Sequence, residues 1–194
     1  MKFVFVRHAE GEHTMRLPHS LLLQDPSLTE RGRAQAGGIK HELNVVKEET
    51  LLISPTRRTL QTAVILADSL ACNLVVHPAL GPRMFPLKQG KQTLPCDQIL
   101  ERSIIKRDFP TVHIAEVENK RSWSEGINTI SQAQFDAQAK AFLEWCEEWA
   151  KHRVILVSHD GTITAYRQFM HQEQLSREDF LTDAGWIEVT WKSG

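Results

Sequence analysis

The chain has 194 residues, of which 41% are hydrophobic, and 23 lysines and arginines face 24 aspartates and glutamates for a formal net charge of −1. This length predicts one domain, residues 1–194, with a substantial core. Because the charge is balanced, there is no global basic field, and we expect neither nucleic acid nor a membrane surface as a partner.

The N-terminal apolar run is short. It ends at Arg7 after four residues, which is too few for a signal peptide core or a membrane span, so a cytoplasmic location is expected. The three cysteines are widely spaced and include no CxxC pair. They therefore indicate neither a disulfide framework nor a cysteine metal site.

Brief apolar runs predict buried strands at 3–6, 51–53, 74–76 and 154–157, with 186–191 as a plausible last strand. Helical patterns lie between them: one capped by Thr29, one over 58–70, and the longest over 132–150. Strands that alternate with helices indicate a mainly parallel, doubly wound sheet. The expected fold class is α/β, a three-layer α/β/α sandwich.

The segment 81–123 does not follow this alternation. Four prolines interrupt it, and its one convincing helix is predicted over 97–106. Eight lysines and arginines there stand against five acids. Two interpretations stay open: a solvated irregular segment, or a lid over one sheet edge that contacts substrate and sets specificity.

Chemically capable residues follow three of the predicted strands. They are Arg-His-Ala-Glu at 7–10, Ser-Pro-Thr-Arg-Arg at 54–58 and Ser-His-Asp-Gly at 158–161. Ligands of open α/β sheets bind beyond the carboxyl ends of the strands, so these clusters should converge. Two histidines and several arginines would then form a cationic pocket with an imidazole nucleophile, which suits phosphoryl transfer.

At these residues the chain resembles the histidine phosphatase superfamily, the phosphoglycerate mutase-like group. Residues 7–10 are similar to its Arg-His-Gly signature, and 28–36 (LTERGRAQA) to its Leu-Thr-x-x-Gly-x-x-Gln-Ala segment. Residues 54–63 (SPTRRTLQTA) are similar to its Ser-Pro-Leu-x-Arg-Ala-x-Gln-Thr-Ala segment, and 157–159 to its last catalytic element. Four motifs in the family's order make coincidence very improbable.

By position, the resemblance implies that His8 is the phosphorylated nucleophile and that Arg7 and Arg58 clamp the phosphate. His159 would be a further ligand of the phosphoryl group. Arg57 is a candidate for substrate binding at the rim, because adjacent residues of a helix diverge by about 100° and cannot both face the pocket equally.

The sequence departs from the family pattern in ways that affect mechanism. Ala9 stands where the family usually has glycine, and Thr14 where many relatives have a phosphate-binding asparagine; its hydroxyl can still donate one hydrogen bond. The glutamate that often follows the third strand as proton donor is absent from 78–83. Asp160 and Glu125 are the two candidates to replace it.

The motifs do not assign a role to every other polar residue near them. Glu10 follows the nucleophile closely and could orient substrate or an arginine, or be purely structural. Four other histidines match no motif position and are read as ordinary: His13, His19, His77 and His113. No HxH or HExxH spacing and no GxxxxGK[ST] loop is present, so neither a metal nor a cofactor is expected.

The leading interpretation is a metal-independent phosphomonoester phosphatase that acts on a small phosphorylated substrate through a phosphohistidine at His8. Three alternatives stay open: a phosphoglycerate mutase-type phosphotransferase, a protein phosphohistidine phosphatase, and a phosphate-binding pseudo-phosphatase. The sequence names no substrate, and it leaves a homodimer open.

Overall fold

A computed structural model of the chain describes residues 1–117, 119, 121–149, 153–171 and 173–192. Ala150, the predicted end of the longest helix, lies outside these residues. Within them, no helix is long and apolar enough to cross a membrane.

In the described part of the chain, six strands form one sheet: β1 (Lys2–Arg7), β2 (Thr50–Ile53), β3 (Asn73–Val76), β4 (His113–Ile114), β5 (Arg153–Ser158) and β6 (Trp186–Thr190). Their order is β4-β3-β2-β5-β1-β6. Every neighbouring pair is parallel except β1 with β6, which is antiparallel. The predicted mainly parallel sheet is therefore confirmed, and the five strands read from the sequence are all present.

Helices cover both faces of this sheet: α1 (Glu30–Glu42), α2 (Arg57–Ala67), α3 (Arg102–Asp108), α4 (Ser122–Glu125), α5 (Gln132–Trp149) and α6 (Asp160–His171). Side chains of β1 alternate between two hydrophobic clusters. Val4 and Val6 pack in a cluster with residues of α1, α2 and α3, whereas Phe3 and Phe5 pack in one with residues of α5 and α6. The molecule is thus a three-layer α/β/α sandwich, as expected.

Strands β1 and β5 lie side by side, and each is followed by one of the two motif histidines. Both are almost wholly buried, as their continuous apolar runs require in a parallel sheet. Their register pairs Arg7 with Ser158, and the His8 amide donates to the Ser158 carbonyl at 2.9 Å. His8 and His159 therefore leave the sheet at the same edge.

The segment 81–123 holds the main corrections to the sequence prediction. The helix expected over 97–106 is wrong: a 3-10 turn at Pro95–Asp97 comes first, and α3 begins only at Arg102. The residues between them are held extended, because the Leu100 amide donates to the Pro55 carbonyl at 2.8 Å. The segment also supplies the edge strand β4, and the sequence analysis predicted neither β4 nor α6.

The backbone at 79–81 is tied to β5 and α6 by side-chain hydroxyls. Ser158 Oγ donates to the Leu80 carbonyl at 2.7 Å, and Thr162 Oγ1 donates to the Gly81 carbonyl at the same distance. Tyr166 donates to the Ala79 carbonyl at 3.0 Å. Residues 79–81, in the stretch that lacks the family's glutamate, are therefore anchored to β5 and α6 through their backbone carbonyls.

Helix α1 packs its first turn directly on the loop after β1. Thr29 caps it, as predicted, by accepting a hydrogen bond from the Gly32 amide at 2.9 Å. A Cβ added at Gly32 would lie only 2.1 Å from the Glu10 carbonyl oxygen. The glycine of the Leu-Thr-x-x-Gly motif is therefore required by close packing of one backbone on another.

We predict that Gly32→Ala destabilises the fold by about 2 kcal/mol or more, since backbone must move to admit the methyl group. Gly37→Ala in the same helix is the matched control, because nothing lies within 4 Å of its added Cβ. That control should be neutral or stabilising by up to about 1 kcal/mol. Denaturant unfolding of both variants measures the difference, and equal stabilities would contradict the prediction.

Candidate active site

His8 lies just past the end of β1 with its imidazole in a defined orientation. Its Nδ1 lies 2.7 Å from the Ala9 carbonyl oxygen, which can only accept, so Nδ1 carries the proton. The other ring nitrogen, Nε2, then holds a lone pair and accepts from Arg58 Nε at 3.2 Å. His8 is therefore a neutral imidazole whose Nε2 lone pair accepts a hydrogen bond from the guanidinium of Arg58.

His159 faces the same guanidinium from the end of β5. Arg58 Nη2 lies 3.2 Å from its Nδ1, so Nδ1 accepts and Nε2 carries the proton. That Nε2 donates to Ser54 Oγ at 2.7 Å. The ring centroids of His8 and His159 are 5.1 Å apart, which confirms that the two strand ends bring these side chains together.

Arg58, in the first turn of α2, is 1% exposed and joins the site through each guanidinium nitrogen. Besides the two imidazoles, Nη1 donates to the Cys96 carbonyl at 2.7 Å and Nη2 to Asp97 Oδ1 at 3.0 Å. A buried cation is tolerated only when its donors are satisfied and a counter-charge is near. Asp97 is that counter-charge.

Burial and charge keep the imidazoles unprotonated. Desolvation, with Arg58 next in importance, holds the pKa of His8 and of His159 well below the usual histidine range. An unprotonated ring is the form that can attack phosphorus. The same surroundings that bury His8 therefore keep it in its nucleophilic state.

Arg7 lies beside Asp160 on the other side of the cluster. Its Nη2 is 3.2 Å from Asp160 Oδ2 and 3.1 Å from Asp183 Oδ1, and Nη1 donates to the Leu181 carbonyl at 2.6 Å. Its Nε is buried and has no hydrogen-bond partner among the described residues. One donor of Arg7 is therefore left without an acceptor among the described residues.

Glu10 and Thr14 both make local structural contacts. Glu10 Oε1 accepts from the Thr29 hydroxyl at 2.7 Å, and Oε2 lies 3.3 Å from Arg31, so this carboxylate ties the loop to α1. Thr14 Oγ1 donates to the Gly11 carbonyl at 2.9 Å, which commits its one proton. A role for either in substrate binding remains a prediction.

Arg57 and Glu125 lie apart from the cluster of imidazoles. Arg57 Nε is 2.6 Å from Asp25 Oδ2 and its Nη2 is 2.8 Å from Asp108 Oδ2, so the two neighbouring arginines diverge as their helical spacing predicts. Glu125 ends α4, is exposed, and lines a cavity of about 480 Å³ that Asp97 also lines.

Two residues of the cluster had no role in the sequence analysis. His13 is 8% exposed, with its ring 5.4 Å from that of His8, and burial together with Arg58 lowers its pKa to about 3. Asp97 binds Arg58 from the segment 81–123. No motif position marks either residue, and the sequence analysis named Asp97 only as the first residue of the helix expected over 97–106.

Comparison with known proteins decides the family. The model of the histidine phosphatase superfamily (branch 1) matches residues 3–194. The chain belongs to the histidine phosphatase superfamily. The resemblance read from four motifs is thereby confirmed over nearly the whole chain.

One curated phosphatase is similar to part of the chain. Phosphoserine phosphatase 1 of Hydrogenobacter thermophilus is 38% identical over 69 residues, which cover 36% of this chain and 32% of that relative. The chain thus aligns with about a third of that relative's length.

Solved histidine phosphatases share the fold. A mycobacterial glucosyl-3-phosphoglycerate phosphatase has a TM-score of 0.60 at 20% identity, over 97% of this chain and 90% of that one. Phosphoserine phosphatase from Entamoeba histolytica has a TM-score of 0.59 at 16% identity, over 96% and 89%. At these identities the likeness establishes the architecture.

The buried histidines predict how stability depends on pH. The pKa values of His8, His13, His77 and His159 are all lowered, mainly by burial, with His77 at about 3. In the unfolded chain these groups titrate near pH 6.5, so below that pH the unfolded state binds more protons. We expect the free energy of unfolding to fall on acidification by up to about 1.4 kcal/mol per pH unit for each histidine.

Unfolding curves at pH 7.5 and pH 5 measure this dependence. His77→Asn should weaken it, because asparagine can still accept the Ala79 amide that His77 Nδ1 accepts at 3.1 Å, yet it does not titrate. His113→Asn, on the exposed end of β4, should leave the dependence unchanged. Stability that is the same at both pH values would contradict the prediction.

Proposed function

We propose that this protein is a phosphomonoester phosphatase that works through a phosphohistidine on Nε2 of His8. The observation that carries the proposal is the fixed tautomer of His8: Nδ1 donates to the Ala9 carbonyl, and the lone pair of Nε2 faces buried Arg58. A nucleophile that is neutral, oriented and beside a cation is what attack on a phosphate dianion requires.

Arg58 and Arg7 are the proposed phosphate ligands. Nε and Nη2 of Arg58 donate to the two imidazole lone pairs, and both nitrogens lie on one edge of the guanidinium. That edge can hold two phosphoryl oxygens at once. The Nε of Arg7, which is buried and has no partner among the described residues, is the proposed third donor.

The proposed reaction has two displacements. First, His8 Nε2 attacks phosphorus and forms an N–P bond while the ester P–O bond breaks and the leaving oxygen takes up a proton. Second, water attacks phosphorus and loses a proton as the O–P bond forms and the N–P bond breaks, so that inorganic phosphate is released and Nε2 recovers its lone pair. Nδ1 keeps its proton throughout, and its bond to the Ala9 carbonyl stabilises the positive charge on the phosphorylated ring. Positioning and charge neutralisation provide most of the rate.

A small phosphorylated metabolite is the proposed substrate class. The named similar proteins act on phosphoserine and on glucosyl-3-phosphoglycerate, which are both phosphate esters of small polar molecules. The segment 81–123 is the proposed lid, since its Cys96 carbonyl and Asp97 carboxylate bind the buried edge of Arg58. Differences in this segment would then set specificity.

We predict that His8→Ala abolishes phosphate release from 4-nitrophenyl phosphate, because no other described group presents a nucleophilic lone pair to Arg58 Nε. His19→Ala, at an exposed position of a 3-10 turn, is the matched control and should keep full activity. Acid-labile labelling of the wild type by a radioactive phosphate ester should disappear in His8→Ala. A folded, active His8→Ala protein would refute the proposal.

The neighbouring arginines give a second test. Arg58→Lys should lower kcat/KM by about 100-fold or more, because an ammonium cannot make the paired contacts of the guanidinium edge. Arg57→Lys should change kcat/KM by less than about threefold, since Arg57 binds Asp25 and Asp108 instead. Steady-state kinetics on one aryl phosphate compares the two variants. Equal losses of kcat/KM would contradict the assignment of Arg58, rather than Arg57, as a phosphate ligand.

A further inference from the structure

The reacting groups are accessible from few directions. His8 is 3% exposed, His159 is 4% exposed and Arg58 is 1% exposed. Asp97 differs, because it binds buried Arg58 at 3.0 Å through one oxygen and yet lines the cavity of about 480 Å³ beside the cluster. Its carboxyl therefore lies between the phosphate clamp and the space where the rest of a substrate can lie.

The two acids expected from the sequence are placed less well for giving up a proton. Both oxygens of Asp160 already accept: Oδ1 takes the Gly161 amide at 2.6 Å, and Oδ2 faces Arg7 Nη2 at 3.2 Å. Glu125 is an exposed residue at the end of α4. Neither touches Arg58, His8 or His159 in the contacts of the described residues.

We propose that Asp97 is the proton donor for the leaving oxygen. This inference rests on the proposed phosphatase function and adds the acid that ester cleavage needs. The carboxyl group is within reach of a phosphoryl group held by Arg58, because both would bind the same guanidinium, and the leaving group would point into the cavity that Asp97 lines.

Substrate binding favours the protonated form of Asp97. Burial raises the pKa of Asp97, with Asp160 contributing in the same direction, while Arg58 opposes the rise. A phosphoryl group that takes the Arg58 donors weakens the larger of the two opposing contacts, the other being a hydrogen bond with the Cys96 side chain, and adds negative charge next to the carboxyl. Both changes favour the protonated acid when the ester is in place.

The proton balance of the reaction is complete with Asp97. In the first step the carboxyl proton moves to the ester oxygen as the P–O bond breaks, so the product leaves as a neutral alcohol and Asp97 becomes a carboxylate. In the second step the carboxylate takes a proton from the attacking water, and the O–P bond forms as the N–P bond breaks. Asp97 ends protonated and His8 ends as the neutral imidazole.

The test compares a good leaving group with a poor one. For Asp97→Asn we expect kcat to fall about 100-fold or more with glycerol 2-phosphate, whose alkoxide leaves only when protonated, and less than about fivefold with 4-nitrophenyl phosphate. The basic limb of the kcat profile against pH should also be lost. Asp68→Asn, the same substitution at an exposed residue just after α2 and outside this cavity, is the control and should leave both rates unchanged.

A merely positioning role gives a different result. If Asp97 only holds Arg58 in place, Asp97→Asn slows both substrates by the same factor and retains the basic limb, and the proposal is overturned. It is also overturned if Asp160→Asn or Glu125→Gln, rather than Asp97→Asn, shows the selective loss. Asp97→Ser gives the same ratio independently should the asparagine variant fail to fold.

Failure of the proposed function itself is distinguishable. A folded wild type that releases no phosphate from either substrate, and forms no phosphohistidine, refutes the phosphatase proposal and the Asp97 role together. An active wild type that labels on His8, with no selective loss in Asp97→Asn, refutes only the role of Asp97.

Discussion

The guanidinium of Arg58 is the interaction on which the site depends. A buried cation in an apolar core is costly unless its donors are satisfied, and each unsatisfied donor costs about 1–3 kcal/mol. Here its acceptors come from distant parts of the chain: His8 after β1, His159 after β5, and the turn Pro95–Asp97. Satisfying one side chain therefore assembles three segments into one site.

The sequence was most informative about elements whose burial is continuous. Apolar runs located β1 and β5, because the middle of a strand that is covered on both faces is apolar, and their parallel arrangement predicted that His8 and His159 meet. Helical spacing also separated Arg57 from Arg58 correctly. These inferences use periodicity and chain order, both of which are local properties that a single sequence contains.

The sequence could not predict contacts that depend on the position of a side chain in the folded protein. Asp97 was placed at the start of the helix expected over 97–106, but Gln98 and Glu101 are extended and the Leu100 amide donates to the carbonyl of Pro55, more than forty residues earlier in the chain. His13 had no motif position. Its ring fits beside Gly11, where an added Cβ would lie 2.7 Å from its Nδ1, and that proximity appears only in three dimensions.

The contact between Arg58 and the turn Pro95–Asp97 also affects which states of the protein are populated. Displacement of this turn would remove the Cys96 and Asp97 acceptors from the guanidinium. These two hydrogen bonds therefore favour the state in which the turn lies against Arg58. A phosphoryl group that replaces the two imidazoles on Nε and Nη2 would leave both bonds in place, so the turn can stay closed while the site is occupied.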